Sequence, residues 1–581
     1  MTLFQLLALA PMLLGSAMAQ SSDNVRVWAA VAYINQGERT PTIGDLDTIL
    51  TPEGAQQMSR QGEAFRNRYL FTNGASGNSS TTDEHAPIIG LSSGSIVNDQ
   101  LAVVSQARSW VVGSATAFLQ SLYPPTESEY NVLAGGSDLA NNFALNSSAR
   151  LDYPLNGYQY PNILTLSSRD KFSTAVQGTT ECVAWIEQMN TNLTQRQDLI
   201  DFAEGTLPFY QNLFSTAPFA GTIPLSDANF WYAYDIYEFV KYMYNHNRTA
   251  HEELADGQQV ISMLKRNAFV LERAMNSDPV ADNTDPLNEL YTIAGRTLAD
   301  FVTNQLEIVA FGGEGESLTL MFGSFRPLLS FFSMAGITTR EDVVSGPSSR
   351  FPEPGAAIVF ELIDQNSNDS PTIPSPEDLS IRFYYRATTN EGEPFVQVSL
   401  FGSGLGGATI PFTAFVSQMR SRGVTPDQWC RVCNPNPTIA SWCAISNMSS
   451  PSHGSSGGVS PALAGVIGAL TTLAVVGILL SILFLLFGFR LHREKKADGA
   501  AGAGGFKGPE KMRSDTDLTV TKRGAAHERI GSWEMRDGVP SSGGAGIVTK
   551  DFSRHRSMMV DEDEDDISVV GRGPVKAHET V

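Results

Sequence analysis

The stretch Val31-Ala32-Tyr33-Ile34-Asn35-Gln36-Gly37-Glu38-Arg39-Thr40-Pro41 decides the reading of this chain. An apolar run ends there in a polar turn punctuated by Gly37 and Pro41, the pattern of a strand running into a loop. The sequence then continues as Leu50-Thr51-Pro52-Glu53-Gly54-Ala55-Gln56-Gln57. Thr51 is a fair N-cap and Pro52 suits the first helical position, so a helix is expected to run on past Gly62 to Arg66, Arg68, Tyr69 and Leu70.

Two further stretches belong with these. Leu101–Val104 reads as a short strand, followed by Gln106-Ala107-Arg108-Ser109-Trp110 and a helix from Val111 to Leu122. Its apolar residues Val111, Ala115, Phe118, Leu119 and Leu122 fall at helical spacing. Leu318–Phe322 is another strand, ending in Gly323-Ser324-Phe325-Arg326-Pro327 before a helix that closes on Ala335-Gly336-Ile337.

Together these motifs resemble the histidine acid phosphatases, phytases included. The first matches that family's RHGxRxP signature at Gly37, Arg39 and Pro41, with Asn35 at the first arginine and Gln36 at the histidine. The second resembles its LTxxGxxQ helix. Arg108 stands where members carry a third phosphate-binding arginine, ahead of Ser114, Ala115 and Phe118. At the second signature, His-Asp in the family, the alignment puts Ser324 and Phe325. The resemblance covers Val25 to Cys443. It implies a three-layer α/β/α core interrupted by an α-helical cap that shapes the substrate cleft.

Between about 126 and 310 the sequence is mainly helical after an irregular start, with helices expected at Asp170–Met189, Gln195–Asn212, Asp227–Asn245, His251–Met275 and Asn288–Ile308. This is the expected cap; the core takes about 25–125 and 311–443. His246 and His251 are five apart, which puts them about 140° apart around a helix, so they read as surface residues and not as a metal pair. Ala357–Leu362, Leu379–Ala387 and Pro394–Leu400 read as strands, the last two joined by a hairpin through Thr388–Glu393.

The ends of the chain carry different signals. Residues 1–19 read as a secretory signal, with an apolar run Leu6–Leu14 and small residues before Gln20. Residues 449–460 read as a Pro/Ser/Gly-rich stalk, 461–489 as a transmembrane helix, and 490–581 as a disordered tail. Arg490, His492, Arg493, Lys495 and Lys496 just after the apolar segment place the tail in the cytoplasm. A single-pass protein at the cell surface with its N-terminal part outside is therefore expected. Asn78, Asn146, Asn192, Asn247, Asn368 and Asn447 are candidate glycosylation sites, all on the outer side. So are the four cysteines, Cys182, Cys430, Cys433 and Cys443, which are expected to form disulfides in one of three pairings that sequence does not choose among.

The formal charge is −21 over 581 residues. From Arg490 onward 16 basic and 16 acidic residues cancel, so the excess belongs to the 24 basic and 45 acidic residues before it. An acidic ectodomain argues against nucleic acid as a partner and against long-range attraction of polyanions. A phosphate site has to be a local basic pocket.

The family's reaction, as the resemblance implies it, is a two-step phosphoryl transfer through a phosphorylated histidine. A nucleophile needs an available lone pair, and the amide nitrogen of Gln36 has none. Phe325 has no proton for a leaving oxygen. Arg39 and Arg108, with Asn35, remain as a candidate anion site, to which Arg326 is an expected addition. The opposing expectation is that Arg39 and Arg108 pair internally with Glu38, Glu314 or Glu316. The sequence thus points to a phosphatase-like ectodomain without catalysis that takes a small anionic or phosphorylated ligand, with no metal or cofactor. The alternatives are a hydrolase using another nucleophile, Glu38 or Ser324, and a surface glycoprotein whose cleft is irrelevant.

Overall fold

A computed structural model of the chain describes residues 25–443, apart from 45–46, 72–84, 126–153, 278–287, 314, 339–348, 365–371 and 403–408. The expected signal, stalk, transmembrane helix and tail lie outside the described residues, as do Asn78, Asn146, Asn368, Asn447 and Glu314. Among the described residues no helix is long and apolar enough to cross a membrane.

The strands are β1 (Arg26–Asn35), β2 (Leu101–Gln106), β3 (Ile163–Leu166), β4 (Leu318–Gly323), β5 (Ala357–Asp364), β6 (Ser380–Arg386), β7 (Val396–Gln397) and β8 (Thr409–Pro411). They form one mixed sheet in the order β3-β2-β4-β1-β5-β6-β7, with β8 also pairing β6. β3, β2, β4 and β1 run parallel, while β5 joins β1 antiparallel. The helices of eight residues or more are α1 (Pro52–Tyr69), α2 (Ser109–Leu122), α3 (Val183–Thr191), α4 (Gln197–Ser215), α5 (Ala233–His246), α6 (Gly257–Asn276), α7 (Ile293–Ala310), α8 (Arg326–Met334), α9 (Phe412–Arg422) and α10 (Pro426–Cys433).

Strand alternation makes the layers. Ala30, Ala32 and Ile34 of β1 face a core with Phe65 of α1 and Phe118 of α2. Ala29, Val31 and Tyr33 face the other way, into a core with Leu298 of α7, Leu328 of α8 and Phe415 of α9. The sheet is therefore covered by helices on both faces. A third core joins α3 to α6 with the segment from Val424 to Cys443.

This third core redraws the expected domain limits. β3 and α7 fall within the stretch read as cap, yet β3 extends the sheet beside β2 and α7 packs on its face. Conversely, the cysteine segment read with the α/β core packs into the helical one. Cys182–Cys433 and Cys430–Cys443 are the disulfides, and the Trp429 indole donates to the Gly178 carbonyl at 2.7 Å. The expected helix Asp170–Met189 is broken between Gln177 and Val183. There Glu181 takes a left-handed φ of 61°, which is incompatible with a continuous helix, and Cys182 beside it is bonded to Cys433. The strand expected at Pro394–Leu400 shrinks to Val396–Gln397.

Candidate functional site

The parallel strands bring the sequence motifs to one edge of the sheet. Asn35 and Gly323, the last residues of β1 and β4, are in register, and Arg108 follows the end of β2 as the N-cap of α2. Loops beyond the carboxyl ends of parallel strands are where an α/β sheet places its site.

The loop after β1 is fixed by contacts that its glycines permit. A Cβ on Gly37 would lie 2.4 Å from the Gly54 carbonyl oxygen, and one on Gly54 would lie 2.1 Å from that of Glu38. The loop thus sits directly against the start of α1, where the Thr51 hydroxyl caps the Gly54 N–H. Its backbone donors are used within the protein. The N–H of Gln36 donates to Gly323 at 2.9 Å, that of Gly37 to the Ser114 hydroxyl at 3.0 Å, and that of Glu38 to the Gln57 side chain at 2.9 Å.

Each predicted site residue has a definite place. Asn35 is buried and donates its amide to the Glu353 carbonyl at 2.9 Å. The Gln36 amide oxygen accepts from the Trp110 indole at 3.0 Å, which ties the nucleophile position to α2. Arg39 is 5% exposed, and its Nη2 lies 3.1 Å from Oε2 of Glu238 on α5. That partner is a residue outside the three carboxylates weighed from sequence. The Arg39 guanidinium also lies 5.5 Å above the Trp110 ring, with that of Arg108 at 6.0 Å from the same ring. Arg326, the expected addition, is held in bidentate fashion by Glu272 of α6, at 3.0 and 3.1 Å. The Ser324 carbonyl accepts from the Tyr33 hydroxyl at 2.9 Å. Phe325 is packed against Phe351 and Tyr234, with ring centroids 4.5 and 5.0 Å apart.

A small cleft open to solvent is lined by Asn35 to Arg39, by one face of α5, and by Phe325 and residues 351–354. Arg108 and Ser324 stand outside its lining. Sequence reasoning missed the α5 face: Tyr234, Tyr237, Glu238, Lys241 and Tyr242. The signal was available, because positions i, i+3, i+4, i+7 and i+8 make one stripe on a helix. Burial, reinforced by Glu353, pushes the Tyr237 hydroxyl well above its ordinary pKa, so it stays a neutral hydrogen-bonding group at physiological pH.

The charges around the cleft meet across the cap and the core. Lys265 of α6 bonds Glu353, with Lys241 3.7 Å from the same carboxylate. His246 is exposed, as read from sequence, and also brings Nε2 to 2.7 Å from the Glu38 carboxylate, which accepts from the Thr51 hydroxyl at 3.0 Å as well. His251 turns away and donates to the Tyr244 carbonyl. Among the described residues no cluster of metal-ligating side chains forms.

Comparison with known proteins identifies a family. The family model described as histidine phosphatase superfamily (branch 2) matches residues 32–386. No curated protein sequence matches the chain. Similar solved structures include a phytase from Klebsiella sp. ASR1, at 13% identity and TM-score 0.43 over 69% of this chain and 96% of that one. Hafnia alvei phytase in complex with myo-inositol hexakis sulphate gives 12% and 0.42, over 70% and 98%. A Bifidobacterium longum multiple inositol polyphosphate phosphatase complexed with inositol hexasulfate gives 14% and 0.41, over 70% and 94%. With a family model covering more than half of its length and both motif loops at one end of the parallel strands, the chain belongs to the histidine phosphatase superfamily, branch 2.

Proposed function

We propose that this protein is a single-pass membrane glycoprotein whose outward-facing histidine-phosphatase domain binds a ligand in the cleft and does not hydrolyse phosphomonoesters. The observation that carries the reading is Gln36 at the end of β1. Its side chain has no nucleophilic nitrogen, and its oxygen is engaged by the Trp110 indole. Phe325 supports the same reading, since it fills the position of a proton donor with a ring buried among other rings. Losses at positions that act as a unit do not add, so either one alone removes most of the histidine-dependent rate. The aromatic and charged walls of the cleft remain suited to binding.

A second reading has one observation in its favour. The Glu38 carboxylate and the His246 imidazole form a hydrogen-bonded pair beside the cleft, an arrangement able to take a proton from water. On that reading the domain is a hydrolase with a different base.

One assay separates the two. The full chain, expressed through a secretory pathway and purified, is offered p-nitrophenyl phosphate from acidic to neutral pH beside its Arg39→Ala and His246→Ala variants. The binding reading expects the same background turnover from all three. Turnover that disappears in both variants would overturn it in favour of the Glu38–His246 hydrolase.

A further inference from the structure

We propose that Glu238 sets which ligands the cleft admits, as an internal carboxylate occupying the place beside Arg39 that an oxyanion from solution would otherwise take. The inference rests on reading the cleft as a binding site. A guanidinium that is 5% exposed has lost most of its water and needs a carboxylate or oxyanion in exchange. Here that counter-charge comes from the cap: Glu238 Oε2 stands 3.1 Å from Arg39 Nη2. Its other oxygen is steadied by the Tyr234 hydroxyl at 3.1 Å, one turn earlier on α5. Both partners line the cleft, so the pair faces the space that a ligand enters.

The remaining charges there are also matched, Glu38 by His246 and Glu353 by Lys241 and Lys265. An incoming sulfate or phosphate gains Arg39 only by expelling Glu238, and the expelled carboxylate stays close to Glu38 in the same cleft lining. An uncharged hydroxylated ligand displaces no ion pair, because amide, phenol and carboxylate groups along the wall accept and donate to hydroxyls as they stand. Glu238 therefore discriminates against oxyanions.

The probe is inorganic sulfate, titrated calorimetrically into the full chain as wild type, Glu238→Gln, and Glu238→Gln combined with Arg39→Ala. Glu238→Gln keeps the shape of the side chain and removes the competing charge. It should bind sulfate at least tenfold more tightly than wild type, a difference of about 1.4 kcal/mol. Adding Arg39→Ala should abolish the gain. Equal affinity in wild type and Glu238→Gln, or a gain that survives Arg39→Ala, overturns the proposal. If Glu238→Gln does not fold, as judged by near-UV circular dichroism, Glu238→Asp withdraws the carboxylate by one methylene and should show a smaller gain in the same direction. No gain in that variant counts against Glu238 as well. Phosphomonoester turnover by the wild type would sink the binding reading on which this rests. A negative sulfate result leaves that reading standing and removes only the role of Glu238.

Discussion

Replacing Phe325 by aspartate would put a proton donor back where the family signature has one, and the structure predicts that the fold will not accept it. Phe325 is 5% exposed and packs against Phe351 and Tyr234 at 4.5 and 5.0 Å between ring centroids. Truncating a buried phenylalanine costs about 3–5 kcal/mol. A carboxyl group in the vacated space adds a few kcal/mol more unless it finds a partner. Arg326, the adjacent cation, is already engaged with Glu272. The total exceeds about 5 kcal/mol, against a stability of about 5–15 kcal/mol for a typical domain. Phe325→Leu is the matched control: it keeps an apolar side chain and gives up two ring pairs, about 1–3 kcal/mol. Urea denaturation followed by circular dichroism should find the leucine variant folded and the aspartate variant unfolded or nearly so. An aspartate variant within about 1 kcal/mol of wild type would refute the reasoning, and would mean that position 325 can recover an acid by a single change.

Two further outcomes follow from the packing. The Cys182–Cys433 bond joins residues 251 apart and Cys430–Cys443 joins residues 13 apart, with all four cysteines buried to a similar degree. Loop-closure entropy then makes the loss of the first costlier by about 2.6 kcal/mol, so Cys182→Ala/Cys433→Ala should melt well below Cys430→Ala/Cys443→Ala; equal melting temperatures would contradict this. Burial raises the Asp300 carboxyl above its ordinary pKa of 3.8, against the opposing pull of Arg420. The folded chain thus holds that proton more tightly than the unfolded one, a contribution present in full below pH 3.8 and lost as pH rises through the raised value. Asp300→Asn should gain stability relative to wild type across that window, measured as urea midpoints at stepped pH; parallel curves would show that Asp300 does not titrate there.

What the sequence disclosed was local. The turn at Gly37, the cap at Thr51 and Pro52, and the strand ending before Phe325 each declare themselves within a few residues, because strand alternation and capping are short-range effects. The antiparallel entry of β5 beside β1 did not show, since a buried strand reads as the same apolar run in either direction. Nor did the break before α3, where the backbone departure is a left-handed φ at Glu181, a residue type that does not announce one. The positions of Gln36 and Phe325 were legible as motif positions. The partners of the motif loop were not, because the Glu238 carboxylate, the His246 imidazole and the Glu353 carbonyl reach it only through tertiary packing.

On the proposed binding reading, those partners bear on how a ligand enters. Four core groups around the site, Glu38, Arg39, Arg326 and Glu353, are each met by a side chain from α5 or α6. Removing one member by substitution strands a buried charge, at about 3–5 kcal/mol for a fully buried pair and less for those with exposed partners. Moving α5 and α6 away from the core is a different event, since both members of each pair then reach water and recover their hydration. The pairs therefore penalise single substitutions more than they resist a concerted opening. The rings of Tyr234 and Phe269 set the limit on such an opening, because their packing on Phe325 and Phe351 joins α5 and α6 to the core by apolar contacts that water does not replace.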